Sequence, residues 1–486
     1  MKTPSQPTWA IIPDRPLDAR TVLIQLYWAA IRAVAPGPAL RHALEKLPRE
    51  ELKGPVWIVS VGKAANPMAI AAVDFLAKHH RAPAGGVVVS PRQIPAPHEK
   101  LLSVVGDHPI PGEQSFFAAR MVEEVTQQVK PSDEVWVLLS GGATCLMAAP
   151  EGTLRPEELT QLFEMLLGSG LDIGMMNLVR KRFTRWGAGR LALAVAPARV
   201  RNYIISDVIG DDVAAIGSGP CVPDPCTATE LIQILEGAHL WNRLPMAARN
   251  YLHRVEHHPE AETPKAGDDT FANVERKIVA SNRIALEAAA ARARDFGYEP
   301  RILGSSLAGE AAEVGKRLAT ALLSYCAPTS PPLTGRAGRT CLIWGGETTV
   351  TLGAEPGSGG RCQELALAAA AELAQAKSAR TTTLLACGTD GRDGATDAAG
   401  AIVDRETWGA IRRAGRDPAR DLAAHDSHPA LDAAKVLLRT DLTFTNVMDV
   451  MIGICGAPDA TMWPPKTPGG SIAKITESVK KRVLGG

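Results

Sequence analysis

Several glycine-rich segments of this chain carry charged or hydroxyl side chains at the ends of apolar runs. The run Val56–Val61 ends in Gly62-Lys63. A cation at the carboxyl end of a strand can meet a phosphate or a carboxylate, because open α/β sheets bind ligands there, or it can simply cap the loop. Val135–Leu139 runs into Ser140-Gly141-Gly142-Ala143-Thr144. There the backbone N–H groups lie bare before a helix start, which suits an anion cradle and equally a plain turn. It is not a Walker A loop, since GxxxxGK[ST] occurs nowhere in the chain. Tyr203–Ser206 leads into Asp207, with Asp211 and Asp212 a turn later, followed by Gly217-Ser218-Gly219-Pro220. Carboxylates at strand ends suit Mg²⁺, which takes one or two of them with phosphate oxygens and water, and they also suit a helix N-cap.

The C-terminal half repeats the pattern. Gly345-Gly346-Glu347 is followed by Gly357-Ser358-Gly359-Gly360-Arg361, which opens a helix. Backbone donors and a guanidinium fork at a helix N-terminus converge on the same anion. Gly388-Thr389-Asp390-Gly391-Arg392-Asp393 reads as a metal or general-base loop, or as a surface turn with Asx caps. Phosphoryl transfer needs a phosphate cradle, cations, a carboxylate-held Mg²⁺ and an acid to take the hydroxyl proton. Each of the four has candidates here.

The elements that must position these residues follow an α/β rhythm. Val56–Val61, a helix over 64–76 and a strand over 86–90 form a parallel crossover, and Val135–Leu139 repeats it. The polar, Pro- and Gly-rich stretch 257–273 marks a boundary between a Rossmann-like domain over 1–256 and a smaller α/β domain over 274–486. The second unit is expected to hold a strand at 278–280, a helix over 282–296, a loop over 327–339, strands at 341–344, 348–352 and 382–386, and a helix over 363–376. Val22–Pro36 reads as an amphipathic surface helix.

Composition narrows the partners. In 486 residues, Lys plus Arg is 53 against 52 for Asp plus Glu, so no basic excess points to nucleic acid or an anionic membrane. The eight cysteines show no metal spacing and read as reduced thiols of a cytoplasmic protein, and the Pro-containing N-terminus lacks the apolar run of a signal peptide. A small-molecule partner is expected, and a homo-oligomer is compatible.

The stretches GKAANPMA, LLSGGATCLMAAP, NLVRK, ISDVIGDD, GSGPCVPDP, GGETTVTL, GGRCQELALA, CGTDGRDGATDAAGA and FTNVMDV, in this order, resemble the class II glycerate 2-kinases, whose C-terminal part, about 338–455 here, is called the MOFRL domain. The resemblance spans nearly the whole chain. It implies a two-domain α/β kinase that uses ATP and Mg²⁺ to phosphorylate the 2-hydroxyl of D-glycerate, or of a closely related hydroxy acid, in the cleft between domains. It implies that Lys63 and Arg361 hold the carboxylate and the transferring phosphoryl group. Of Asp207 and Asp390 it makes one the proton acceptor and the other the metal partner, in either order. Ser140, Gly141, Gly142, Thr144, Gly217, Ser218, Gly219, Glu347, Gly359 and Gly360 are expected around the nucleotide.

The chain departs from the family pattern in places. Ala143 and Thr144 replace part of SGGGS, with an added methyl expected to narrow the cradle, and Cys362 replaces an Asn. Arg185-Trp186-Gly187-Ala188-Gly189-Arg190 differs from the usual Lys-containing segment. Two other readings compete. An NAD(P)H-dependent hydroxypyruvate reductase would need a GxGxxG after a strand with an acid about 20 residues on, and none is present. A non-catalytic ligand-binding paralogue would not need the retained Lys63, Arg361, Asp207 and Asp390.

Overall fold

A computed structural model describes residues 18–326, 339–353, 355–376 and 381–457. The first sheet contains β1 (Val56–Val61), β2 (Gly85–Ser90), β3 (Leu101–Val105), β4 (Glu134–Leu139), β5 (Arg199–Ile205) and β6 (Val274–Ala280). All its pairings are parallel and its order is β3-β2-β1-β4-β5-β6. This is the doubly wound order of dinucleotide-binding sheets, whose direction reverses between β1 and β4 and opens a crevice there. β2 and β4 are buried along their whole length, as strands covered by helices on both faces must be. Helices Ala65–Lys78 and Glu113–Gln128 supply that cover. A separate apolar cluster joins helices Pro156–Leu167, Ile173–Arg182, Ala228–Gly237 and Met246–His257 through Leu162, Phe163, Val179, Leu231 and Leu252.

The second sheet contains β7 (Glu299–Leu307), β8 (Thr340–Gly346), β9 (Thr382–Gly388), β10 (Gly400–Asp404), β11 (Leu437–Leu438) and β12 (Asp449–Cys455). Its order is β11-β10-β9-β12-β8-β7, with β12 antiparallel to both neighbours and β7 parallel to β8. β12 therefore begins where β8 and β9 end, and Asp449 pairs in register with Gly346 and Gly388.

Four expectations need correction. The stretch 257–273 does not end the first sheet, because β6 follows it and pairs with β5, so the change of sheet comes at helix Asn282–Asp295. Residues 348–352 form no strand: the β8 ladder stops at Gly346 and only an isolated bridge joins Thr349 to Glu310. Helix Ala19–Ala33 is not a surface helix, since Val22, Leu23, Leu26, Tyr27 and Ile31 are buried. It is bonded to the second sheet through the Tyr27 hydroxyl, which donates to the Gly388 carbonyl at 2.8 Å, and through Arg20, which donates to the Leu437 carbonyl at 3.1 Å. Finally, Cys326 and Cys455 are joined as a disulfide, whereas the other six cysteines are free and buried.

One core runs through both sheets: Ile58 and Trp136 of the first and Ile343, Leu385 and Ile452 of the second share a cluster with Tyr27 and Leu286. Most of the expected loop 327–339 lies outside the described residues. Among the described residues no helix is long and apolar enough to cross a membrane.

Candidate active site

The turns after β1 and β4 are locked together at the point where strand order reverses. The Lys63 amide donates to the Gly141 carbonyl at 3.0 Å, and the Ala64 amide donates to the Ser140 hydroxyl at 3.0 Å. Gly142 has φ +85°, a left-handed conformation that a side chain would strain, and it caps the short helix Ala143–Leu146. Among the described residues no acceptor meets the amides of Gly141, Gly142, Ala143 and Thr144, although Gly141 and Ala143 are buried. Buried N–H groups normally find partners, so this row of donors at a helix start is open to an anionic ligand. A Cβ on Gly142 would stand 3.1 Å from the His108 ring and 3.6 Å from the Lys63 side chain, which places both side chains over the cradle. Lys63 is exposed and makes no ion pair among the described residues.

Asp207 follows β5 and presses its carboxylate on the cradle from the side. A Cβ on Gly141 would overlap Asp207 Oδ2 at 1.8 Å, so only glycine fits there. Burial raises the Asp207 pKa, Lys63 opposes the rise, and Glu347 adds to it. Glu347 belongs to the turn after β8, so this interaction joins the two sheets at the site. The turn Gly217-Ser218-Gly219 is tied to the cradle by the Ser218 and Thr144 hydroxyls, 2.8 Å apart.

On the second sheet Arg361 grips Asp449 with both edges of its fork, Nε to Oδ2 at 2.6 Å and Nη2 to Oδ1 at 2.9 Å, and its Nη1 lies 2.7 Å from Glu347. Asp449 is fully buried, and burial pushes its pKa up to about 6 against the pull of Arg361. Asp390 lies beside it across Gly388, accepting from the Arg392 amide at 2.9 Å. A line of charges thus crosses between the sheets: Lys63, Asp207, Glu347, Arg361, Asp449.

Three sequence readings change. Helix Arg361–Gln375 does not offer its N-terminus to a ligand, because the amides of Cys362 and Gln363 already donate to the Asp393 carboxylate at 3.1 and 2.8 Å. Packing alone already requires glycine at 359 and 360, since added Cβ atoms would meet Ser427 and Asp393. The Ala143 methyl does not narrow the cradle, as it lies fully buried in the core against Gly217. Cys362 is likewise in the core, and Arg190 is spent on carbonyls of residues 181–187 and on the Tyr251 hydroxyl. His108 and Asp449 carried no role in the sequence reading, and Asp393 figured there only as one acid of the loop after 388. Asp449 left a trace, as an acid opening an otherwise apolar run, VMIGIC.

Three comparisons bear on this arrangement. Residues 22–253 match the family described as a domain of unknown function (DUF4147), and residues 340–449 match the MOFRL family. A protein of Pyrococcus horikoshii named glycerate 2-kinase is 33% identical over 90% of this chain and 98% of its own length. One from Agrobacterium vitis, whose name proposes hydroxypyruvate reductase, is 38% identical over 90% of this chain and 95% of its own. The crystal structure of a glycerate kinase from Thermotoga maritima superimposes with a TM-score of 0.79 at 34% identity, covering 90% of this chain and 99% of that one.

Proposed function

The chain belongs to the MOFRL-type glycerate 2-kinase family, and we propose that it transfers the γ-phosphate of ATP to the 2-hydroxyl of D-glycerate, giving 2-phosphoglycerate and ADP. It is an enzyme, an ATP-dependent glycerate kinase. The observation that carries the reading is the row of partnerless amides at 141–144 beneath the unpaired Lys63 at the switch point of a doubly wound sheet. Such donors neutralise phosphate oxygens without reorganising as charge develops.

Asp207 sits against this cradle, and a bare carboxylate beside a phosphate repels it unless a cation lies between. Mg²⁺ takes one or two carboxylates with phosphate and water completing its shell, and Asp207 with Glu347, which is held by Arg361 Nη1, offers such a pair. Among the described residues no three His, Cys, Asp or Glu side chains converge as a cage, which this mode of binding does not require. When bound there, Mg²⁺ would offset the charge of the transferring phosphoryl group. Asp390, on the opposite sheet, is then the proton acceptor for the glycerate hydroxyl. Arg361 acts by orienting Glu347, with its remaining N–H groups free for substrate.

The reductase reading finds less support. The turn after β1 carries Gly62-Lys63 in place of a glycine fingerprint, and β2 ends in Ser90-Pro91-Arg92 with no acid for a ribose hydroxyl. The test is product identification: ATP, Mg²⁺ and D-glycerate should yield 2-phosphoglycerate by ³¹P NMR, and formation of the 3-phosphate alone would reject the assigned position.

A further inference from the structure

Helix Ile173–Arg182 ends in three consecutive cations, Arg180, Lys181 and Arg182, with only 7, 3 and 1% of their surfaces exposed. Two of them are compensated. Lys181 lies 2.9 Å from Asp224, and Arg182 is paired with Glu262 and Asp224. Arg180 is not. Among the described residues no carboxylate lies within ion-pairing distance of it, and its Nε is buried without a partner. Its guanidinium stacks over the Phe163 ring at 5.0 Å and lies 4.0 Å from the Met176 sulfur, contacts that fix its position without neutralising it.

A buried charge is costly unless paired, so a protein that compensates two neighbours and leaves the third bare is keeping it for something else. The surroundings say what. Cys145 follows Thr144 at the end of the cradle and donates from its sulfur to the Pro109 carbonyl at 2.9 Å, which ties the His108 loop down. His108 in turn overhangs Gly142. Cys145 shares one apolar cluster with Val179 and with Phe163, the ring over which Arg180 stacks, so the guanidinium lies beside the end of the cradle. Its charge is felt at both groups: after partial burial, Lys63 and Arg180 hold the His108 imidazole below its usual value, and Arg180 opposes the effect of burial on the Cys145 thiol.

We propose that Arg180 is an oxyanion-binding residue of the cradle, reserved for a carboxylate or phosphoryl oxygen of a bound substrate. This rests on the kinase reading for the identity of the substrate, though not for the existence of an anion site. Guanidinium suits the task because its planar fork meets two oxygens at once and stays charged when buried.

The test uses the full chain, Arg180→Met, which keeps the apolar stem, and Arg180→Lys, which keeps the charge. Thermal unfolding is followed with no addition, with inorganic phosphate and with D-glycerate. Arg180→Met is expected to melt at or above the wild-type temperature without ligand, since an uncompensated charge has been removed, and to lose at least tenfold in apparent affinity for phosphate or glycerate. Arg180→Lys should recover part of that loss. In the coupled kinase assay, a KM increase confined to glycerate assigns the carboxylate, and one confined to ATP assigns the phosphoryl oxygen. Wild-type anion responses in Arg180→Met would overturn the proposal, as would a melting point lowered with the anion response intact. If the wild-type protein phosphorylates no glycerate, the kinase reading fails, and the phosphate titration still decides the role of Arg180.

Discussion

Lys63 and Asp449 show how differently two charges can serve one site. Lys63 is exposed and makes no ion pair among the described residues, so its charge is available to a ligand, and its removal is expected to cost activity without costing the fold. Lys63→Ala is expected to lower kcat/KM on the order of a hundred- to a thousandfold with an unchanged circular dichroism spectrum, the scale seen when one preorganised donor is lost. Activity within a factor of a few of wild type would remove Lys63 from the mechanism. Asp449 is buried and holds Arg361, with a pKa of about 6. That value lies above the usual carboxylate range, so the protonated form favours the folded state. The corresponding stability is fully present below about pH 4 and is lost as pH rises through about 6, on the order of 3 kcal/mol in total. Urea unfolding at pH 4 and pH 7 should therefore show a larger loss for wild type than for Asp449→Asn. Parallel pH dependences would contradict it. Asp207 gives a third expectation: burial and Glu347 strengthen its hold on a proton, so protons compete with Mg²⁺. The Mg²⁺ concentration for half-maximal activity should fall as pH rises above the usual carboxylate range, and Asp207→Asn should abolish that trend.

At the scale of elements, the cradle is a junction of turns. Gly141 faces the Asp207 carboxylate so closely that a methyl group would displace it, whereas Gly142 needs its left-handed backbone. Gly141→Ala should push Asp207 away from the phosphates, raising the Mg²⁺ requirement more than it lowers the melting temperature, and a purely structural loss would show the reverse. This junction was largely legible in the sequence, because strands buried on both faces read as continuous apolar runs that stop at glycines. β1 is such a run and has the expected bounds, Val56–Val61. Other elements hid for physical reasons. β7 carries Gly304 and two register shifts that break its alternation. The β-branched run at 348–352 looks like a strand but leaves the ladder after Gly346. The helix N-terminus at Arg361 looked like an anion site because its cap, Asp393, arrives from 30 residues away and no local pattern announces it. Arg180 appeared in the sequence only inside the NLVRK stretch, and what distinguishes it from the equally buried Lys181 and Arg182 is the missing carboxylate partner, which no local pattern announces.

For the molecule as a whole, the shared core matters more than the boundary that composition suggested. Tyr27 and Leu286 pack between strands of both sheets, and β6 lies beyond the polar stretch that looked like a linker. A fragment ending at residue 273 loses an edge strand and a large part of that core, including Leu286, Ile343, Leu385 and Ile452. It is expected to lack a cooperative unfolding transition, and a sharp melt from the isolated fragment would restore the earlier boundary. The same coupling brings Glu347 to Asp207, so the two halves of the site depend on the two sheets staying together.

The central claim is that this site moves a phosphoryl group from ATP to glycerate. It is tested most directly by coupling ADP release to D-glycerate with Mg²⁺ present, beside NADH oxidation with hydroxypyruvate on the same protein. Glycerate-dependent ADP release without NADH consumption is the expected result, and NADH consumption without ADP release would contradict the account.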